Sequence, residues 1–294
     1  MTPARTILVT GATGRIGRLV VDALLGTGVR VRALTRRPQD ASLPAAAEVL
    51  AGDFTVPSSL DAALSDVDAV FLVWTAPIAT AATVIARLAA RPSGEPRRVV
   101  YLSAPYKTPH PFFQQPNPMR ELLAEVERLL EATTARTVVL RPGMFASNAL
   151  HWWGPQIRNG DVVRWPYGAA ETAPVDELDV AAVAARALFD DQHLGPDYVL
   201  TGPESLSQTA QVHTIGDATG RRITFEELSP DEFRRQAAGT WPTAVADMLL
   251  DAWRATLGRP AYVTSSIEEI VGSPARTFSH WAADNAAAFR GPQL

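Results

Sequence analysis

The chain reads as an α/β protein, a doubly wound parallel sheet with a smaller, mainly helical C-terminal lobe, on three observations. A strand, a glycine turn and a helix follow one another without a break in residues 6–28. Apolar runs of strand length then alternate with helical patterns as far as Arg141, the rhythm of parallel strands joined by crossover helices. Beyond Pro142 that alternation weakens and helical periodicity takes over.

The first strand is the β-branched apolar run 6–10, and apolar residues recur at helical spacing in 18–25. Gly11, Gly14 and Gly17 therefore fall at the hinge between strand and helix. A nucleotide pyrophosphate needs that arrangement. One glycine permits the tight turn, the next lets the backbone approach the phosphates, and Gly17 lets the helix pack close to the strand. The helix then aims its unpaired N–H groups at the anion. Thr13, Arg15 and Ile16 complete this loop and are expected cofactor contacts.

Residues 29–35 alternate as a second strand and run into Arg36 and Arg37, with no acid before Asp40. In dinucleotide folds an acid here accepts from the ribose 2′-hydroxyl, whereas arginine pairs with a 2′-phosphate. Arg36 and Arg37, with Arg15 as a third, therefore predict NADP over NAD, by about tenfold for one charge-assisted bond. A solvated arginine pair is the competing reading. Residues 48–54 form a third strand ending in Asp53 and Phe54; Asp53 either takes the adenine amino group or caps a turn. A short helix is expected at 57–64. Residues 67–73 are continuously apolar, as where both faces of a parallel sheet are covered. Trp74 and Thr75 follow at the carboxyl edge, where open α/β sheets bind ligands.

A helix at 80–90, a loop at 91–96 and a fifth strand at 98–103 come next. After them lie a proline-rich loop at 104–118, an amphipathic helix at 119–133 and a sixth strand at 135–141 that leads into Pro142, Gly143, Met144 and Phe145. Further helices are expected at 178–189, 207–219, 230–238, 243–257 and 277–289, with a late strand at 198–201. The division that follows assigns 1–143 to nucleotide binding, with 174–202 returning to that domain. Residues 144–173 and 203–294 form the substrate-binding and lid region.

Composition excludes several classes. A net charge of −4 over 294 residues argues against nucleic-acid binding through a broad basic face. Absence of cysteine removes disulfides, thiolate metal sites and thiol nucleophiles, and fits a reducing cytoplasm. The expected partner is a small molecule, with the chain a monomer or homodimer. Residues before Thr6 are too few and too polar for a signal peptide, so none is expected. The uncharged stretch 69–86 is divided by Pro77 and reads as a buried strand and a helix, not a membrane span.

Six spaced signatures agree: GATGRIG after the first strand, LTRRP after the second, GDF after the third, LRPGMFASN after the sixth, then PVDELDVA and LTGPESLS. In that order they resemble the NmrA-like group of atypical short-chain dehydrogenase/reductases across nearly the whole chain. The resemblance implies a Rossmann-like domain with a smaller substrate lobe, usually binding NADP(H), and a nicotinamide-lining role for Pro142, Gly143, Met144 and Phe145. The group it points to spans quinone and ketone reductases, aromatic ether reductases and redox sensors. Typical short-chain dehydrogenases use a tyrosine with a lysine four residues later. Lys107 is the only lysine here, and four residues before it is Ser103, not tyrosine, so that pair is missing.

Proton donors must then be sought at the carboxyl edge. Ser103, at the end of the fifth strand, stands where that family keeps its carbonyl-binding serine, and it is expected to contact cofactor or acceptor; Tyr106 and Lys107 follow on the same loop, with His110 weaker. The five histidines lack metal-site spacing, no GxSxG elbow is present, and Glu226 and Glu227 read as a solvated pair. Phe112, Phe113, Trp152 and Trp153, with Trp165 and Tyr167, are expected to wall a pocket for a flat aromatic small molecule. The function expected is an NADPH-dependent reductase of a quinone or ketone on an aromatic or polycyclic molecule. The alternative is a non-catalytic NADP(H)-binding redox sensor.

Overall fold

Seven parallel strands with helices on both faces position the site in a computed structural model that describes residues 5–91, 95–117, 119–190 and 197–290. Pro118, His193 and part of the expected 91–96 loop lie outside the described residues. The first half of the chain runs β1 (Thr6–Val9), α1 (Arg15–Leu25), β2 (Arg30–Thr35), β3 (Glu48–Ala51), α2 (Asp61–Leu64), β4 (Ala69–Leu72), α3 (Ala81–Ala89), β5 (Arg98–Leu102), α4 (Arg120–Glu131) and β6 (Arg136–Pro142). Then come α5 (Asn148–Trp152), α6 (Gly154–Asn159), β7 (Val162–Pro166), β8 (Glu171–Thr172), α7 (Glu177–Phe189) and β9 (Asp197–Leu200). The chain continues through β10 (Leu206–Ser207), α8 (Gln208–Thr219), β11 (Thr224–Leu228), α9 (Pro230–Ala237), α10 (Thr243–Arg254), α11 (Ser266–Val271) and α12 (Phe278–Asp284).

Strand order is β3-β2-β1-β4-β5-β6-β9, all parallel. Every residue of β1 and β4 is buried, because helices cover both faces. On one face α1 lays down Gly17, Val20, Val21 and Leu24, a helical stripe that packs with α7 against the sheet. On the other, α3 and α4 complete a second apolar layer. Winding reverses between β1 and β4, which opens a crevice at their carboxyl ends. At the opposite rim two adjacent buried arginines, Arg97 just before β5 and Arg98 at its start, leave the chain on opposite faces of the sheet. Arg97 donates to the carbonyls of Leu64, Val67, Arg87 and Leu88, and Arg98 to those of Ala187 and Asp190.

The third strand stops at Ala51, short of the expected Phe54, because Asp53 turns the chain. Two small sheets, β7 with β11 in parallel and β8 with β10 antiparallel, were not expected in the C-terminal region. They sit with α5, α6, α8 to α10 and α12 around a separate apolar cluster centred on Trp153, Trp165, Trp253 and Phe233. Among the described residues no helix is long and apolar enough to cross a membrane.

Candidate active site

Two cavities lie at the carboxyl edge of the sheet. The first, about 400 Å³, is lined by Gly11, Thr13, Gly14, Arg36, Arg37, Asp53, Phe54 and Thr75 among others. Gly11 is left-handed (φ 60°), and a Cβ on Gly17 would stand 2.1 Å from the Gly11 carbonyl oxygen, so helix and turn can meet only at glycine. Thr10 pins the crevice shut from below: its hydroxyl donates to Phe71 O at 3.0 Å and accepts from Val73 N at 2.9 Å. Helix α1 starts after Gly14 with no side-chain cap and no acid in its first turn, leaving its N–H groups open to an anion.

Asp53 spends one oxygen on the turn, accepting from both the N–H and the hydroxyl of Thr55 at 2.8 Å. Those two bonds, with Arg36 nearby, hold its carboxyl below the usual range. Arg37 lies 3.4 Å from Asp40 at the surface. A glycine cradle that any Cβ would fill, with two arginines at the far end, fits an adenine dinucleotide bearing a 2′-phosphate. Three expected contacts are placed elsewhere. Ile16 packs into the main core. Arg15 leaves the loop to reach His151 Nε2 at 3.0 Å and Glu177 at 3.8 Å. Trp74 packs into the second apolar layer, where it stacks on Phe54 and donates to Ala76 O at 2.6 Å.

The second cavity, also about 400 Å³, lies beside the first sheet edge. Ser103, Tyr106, Pro142, Gly143, Met144 and Phe145 border it, as do Phe112, Phe113 and Trp152. Sequence reasoning missed the remaining wall, Val245, Met248, Leu249 and Ala252 of α10, and three amides, Gln115, Asn117 and Asn148. Trp153 does not belong to it. It is fully buried and meets Trp165 edge-on at 6.5 Å in the C-terminal core, since neighbouring helical positions diverge by about 100°. Trp165 is likewise core, and Tyr167 packs against that cluster. His110 is drawn away toward Pro260 O, 3.2 Å from its Nε2. Glu227 accepts from the N–H groups of Tyr167 and Gly168, so it holds a turn while Glu226 pairs with Arg164.

Ser103, Tyr106 and Lys107 converge on a residue that was not anticipated, Glu127 of α4. The Ser103 hydroxyl donates to its Oε1 at 2.5 Å, and Lys107 Nζ lies 2.9 Å from Oε2. Arg141 grips both oxygens at 2.8 and 2.7 Å, binds Asp197 on its other side, and donates to Ala104 O at 2.9 Å. Its guanidinium also lies over the Tyr106 ring, 5.1 Å from the centroid. Burial alone would raise the Glu127 pKa, but bonds from Arg141, Ser103 and Lys107 bring it down to about 2. Burial and the neighbouring Glu127 push the Tyr106 phenol above its usual range, and its hydroxyl is enclosed without a hydrogen-bond partner among the described residues. The Ser103 N–H is also taken, by Leu140 O at 2.8 Å. The Ser103 hydroxyl and the Lys107 ammonium are therefore engaged by Glu127, while the Tyr106 hydroxyl is enclosed beside them. Among the described residues no cluster of His, Asp or Glu could hold a metal ion.

A model of a family described as NAD(P)H-binding matches residues 11–191. The chain is 38% identical to a (4-alkanoyl-5-oxo-2,5-dihydrofuran-3-yl)methyl phosphate reductase of Streptomyces griseus, over 96% of this chain and 99% of that one. It is 28% identical to an NAD(P)H azoreductase of Xenophilus azovorans, again over 96% and 99%. Its fold matches the crystal structure of an NADPH-dependent quinone oxidoreductase of Escherichia coli with a TM-score of 0.78 at 24% identity, covering 95% of this chain and 98% of that one.

Proposed function

Because this chain belongs to the NAD(P)H-binding family and is a nicotinamide-dependent oxidoreductase, we propose that it uses NADPH to reduce a conjugated carbonyl acceptor, a quinone or a conjugated ketone. The observation that carries this reading is the engagement of Ser103 and Lys107 by Glu127, with the Tyr106 phenol enclosed and its pKa raised beside them. An isolated carbonyl becomes a strongly basic alkoxide and needs a positioned acid or oxyanion donor. A quinone or an enone instead becomes an anion stabilised by its own conjugation, which takes its proton from water. The furanone named for the Streptomyces relative is an acceptor of this conjugated kind.

When bound, the reduced nicotinamide supplies the hydride and leaves oxidised. The chain supplies placement. Residues 1–143 with 174–202 hold the dinucleotide, Arg36 and Arg37 facing its 2′-phosphate, while 144–173 and 203–294, joined by the 103–117 segment, enclose the acceptor. Pro142 to Phe145 form the shelf between the two, and Phe112 and Trp152 offer flat surfaces to an aromatic ring. Among the described residues Asn148 Nδ2 has only the Met144 sulfur, 2.9 Å away, as its partner, a weak acceptor that an acceptor's carbonyl oxygen can replace. The test is NADPH consumption with a benzoquinone, cyclohexenone and cyclohexanone. Turnover of the conjugated compounds at least a hundredfold above cyclohexanone is expected. Equal rates on the saturated ketone would overturn the proposal.

A further inference from the structure

The acceptor cavity has two unlike and adjoining linings. One is flat and aromatic, with Phe112 and Trp152, the latter packed on Trp253 of α10. The other is α10 itself, whose Val245, Met248, Leu249 and Ala252 recur at i, i+3, i+4 and i+7 and so form one continuous aliphatic edge along the helix axis. The charges of α10 are directed away from that edge: Asp247 pairs with Arg234 at 2.8 Å and Asp251 with Arg254 at 3.0 Å. A planar ring needs flat faces and a polar end, which the aromatic side and the amides provide. It makes no use of about two turns of aliphatic helix.

We propose that the natural acceptor carries an unbranched alkyl or acyl chain, laid along the α10 edge while its conjugated ring rests on Phe112 and Trp152. For the ring this rests on the reduction reading above; for the chain it rests on α10. Leu249 and Ala252 are buried and form the floor of the track, while Val245 and Met248 are half-buried and form its rim. Met248, unbranched and polarizable, follows a flexible chain where a branched side chain would not. Ala252, the smallest of the four, leaves room where the chain ends.

A series of 2-alkyl-1,4-benzoquinones from methyl to octyl tests this. Two quantities are read: kcat/KM with NADPH, and the dissociation constant with NADP⁺ present, from indole fluorescence quenching. Burying a methylene predicts a gain of about three- to fourfold per carbon in both, over the first several carbons. Met248→Trp, placed across the track, should flatten that slope, and Val245→Trp provides a second obstruction if the first variant melts early. A flat series in the unaltered protein overturns the proposal, and so does a slope that both variants retain. Failure to oxidise NADPH with any quinone would instead remove the reduction reading, and the affinity series would still decide the chain.

Discussion

Replacing Glu127 with glutamine keeps the shape of the buried cluster and removes its charge. The carboxylate accepts from Ser103 at 2.5 Å, from Arg141 at 2.8 and 2.7 Å and from Lys107 at 2.9 Å, and it is 2% exposed. Its pKa falls from an ordinary 4.5 to about 2. That depression is worth about 3 kcal/mol at neutral pH, the order expected for breaking a buried pair by deleting one partner. Because the folded value lies below the unfolded one, the contribution is complete above the unfolded value and is lost as pH falls toward the folded one. It should be about 3 kcal/mol at pH 7 and about 1 kcal/mol at pH 3. Urea denaturation of both proteins at these two pH values should therefore show a stability gap that narrows by about 2 kcal/mol. A gap of equal size at both, or none at neutral pH, would refute the reasoning.

Three further outcomes are expected. Arg36→Ala should lower the preference for NADPH over NADH by about tenfold, measured as the ratio of kcat/KM for the two coenzymes; an unchanged ratio would show that the arginine is merely solvated. Gly17→Ala must displace the Gly11 carbonyl, since the added Cβ would stand 2.1 Å from it, and calorimetry should find NADPH binding lost or weakened by at least a hundredfold. Ser103→Ala should slow turnover less than fivefold and cost about 1 kcal/mol of stability, because the hydroxyl serves Glu127. A fall of a hundredfold or more would restore Ser103 as an oxyanion donor.

The dinucleotide crevice was legible because its requirements are local. Glycines at Gly11, Gly14 and Gly17 encode a turn and a close approach wherever they stand between strand and helix, and arginines after β2 can only lie at its carboxyl tip. Side-chain direction was less legible. Trp152 and Trp153 are adjacent, yet one lines the cavity and the other is core, a distinction set by the rotation of α5. Glu127 left a signal that went unread: it occupies a position on the apolar stripe Leu123, Val126 and Leu130, where a carboxylate demands a buried partner. Arg141, ending the apolar run of β6, is that partner. Pairing them required knowing that α4 crosses behind β6, which depends on tertiary packing. The stripe on α10 was visible as helical periodicity, but the same pattern serves a core, and only the fold shows that it faces open space.

Arg97 and Arg98 follow from the polarity of the architecture. In a parallel sheet all crossover helices return the same way, so their carbonyl-rich ends gather along one rim and their amide-rich ends along the other. The amide-rich rim attracts phosphate from solution. The carbonyl-rich rim has to be neutralised from inside, and here two neighbouring guanidiniums at the start of β5 do so, one reaching the ends of α2 and α3 on one side and the other the end of α7 on the opposite side. Each helical layer is thereby bolted to the same strand, and loosening either bolt exposes the uncompensated negative pole of the layer it holds.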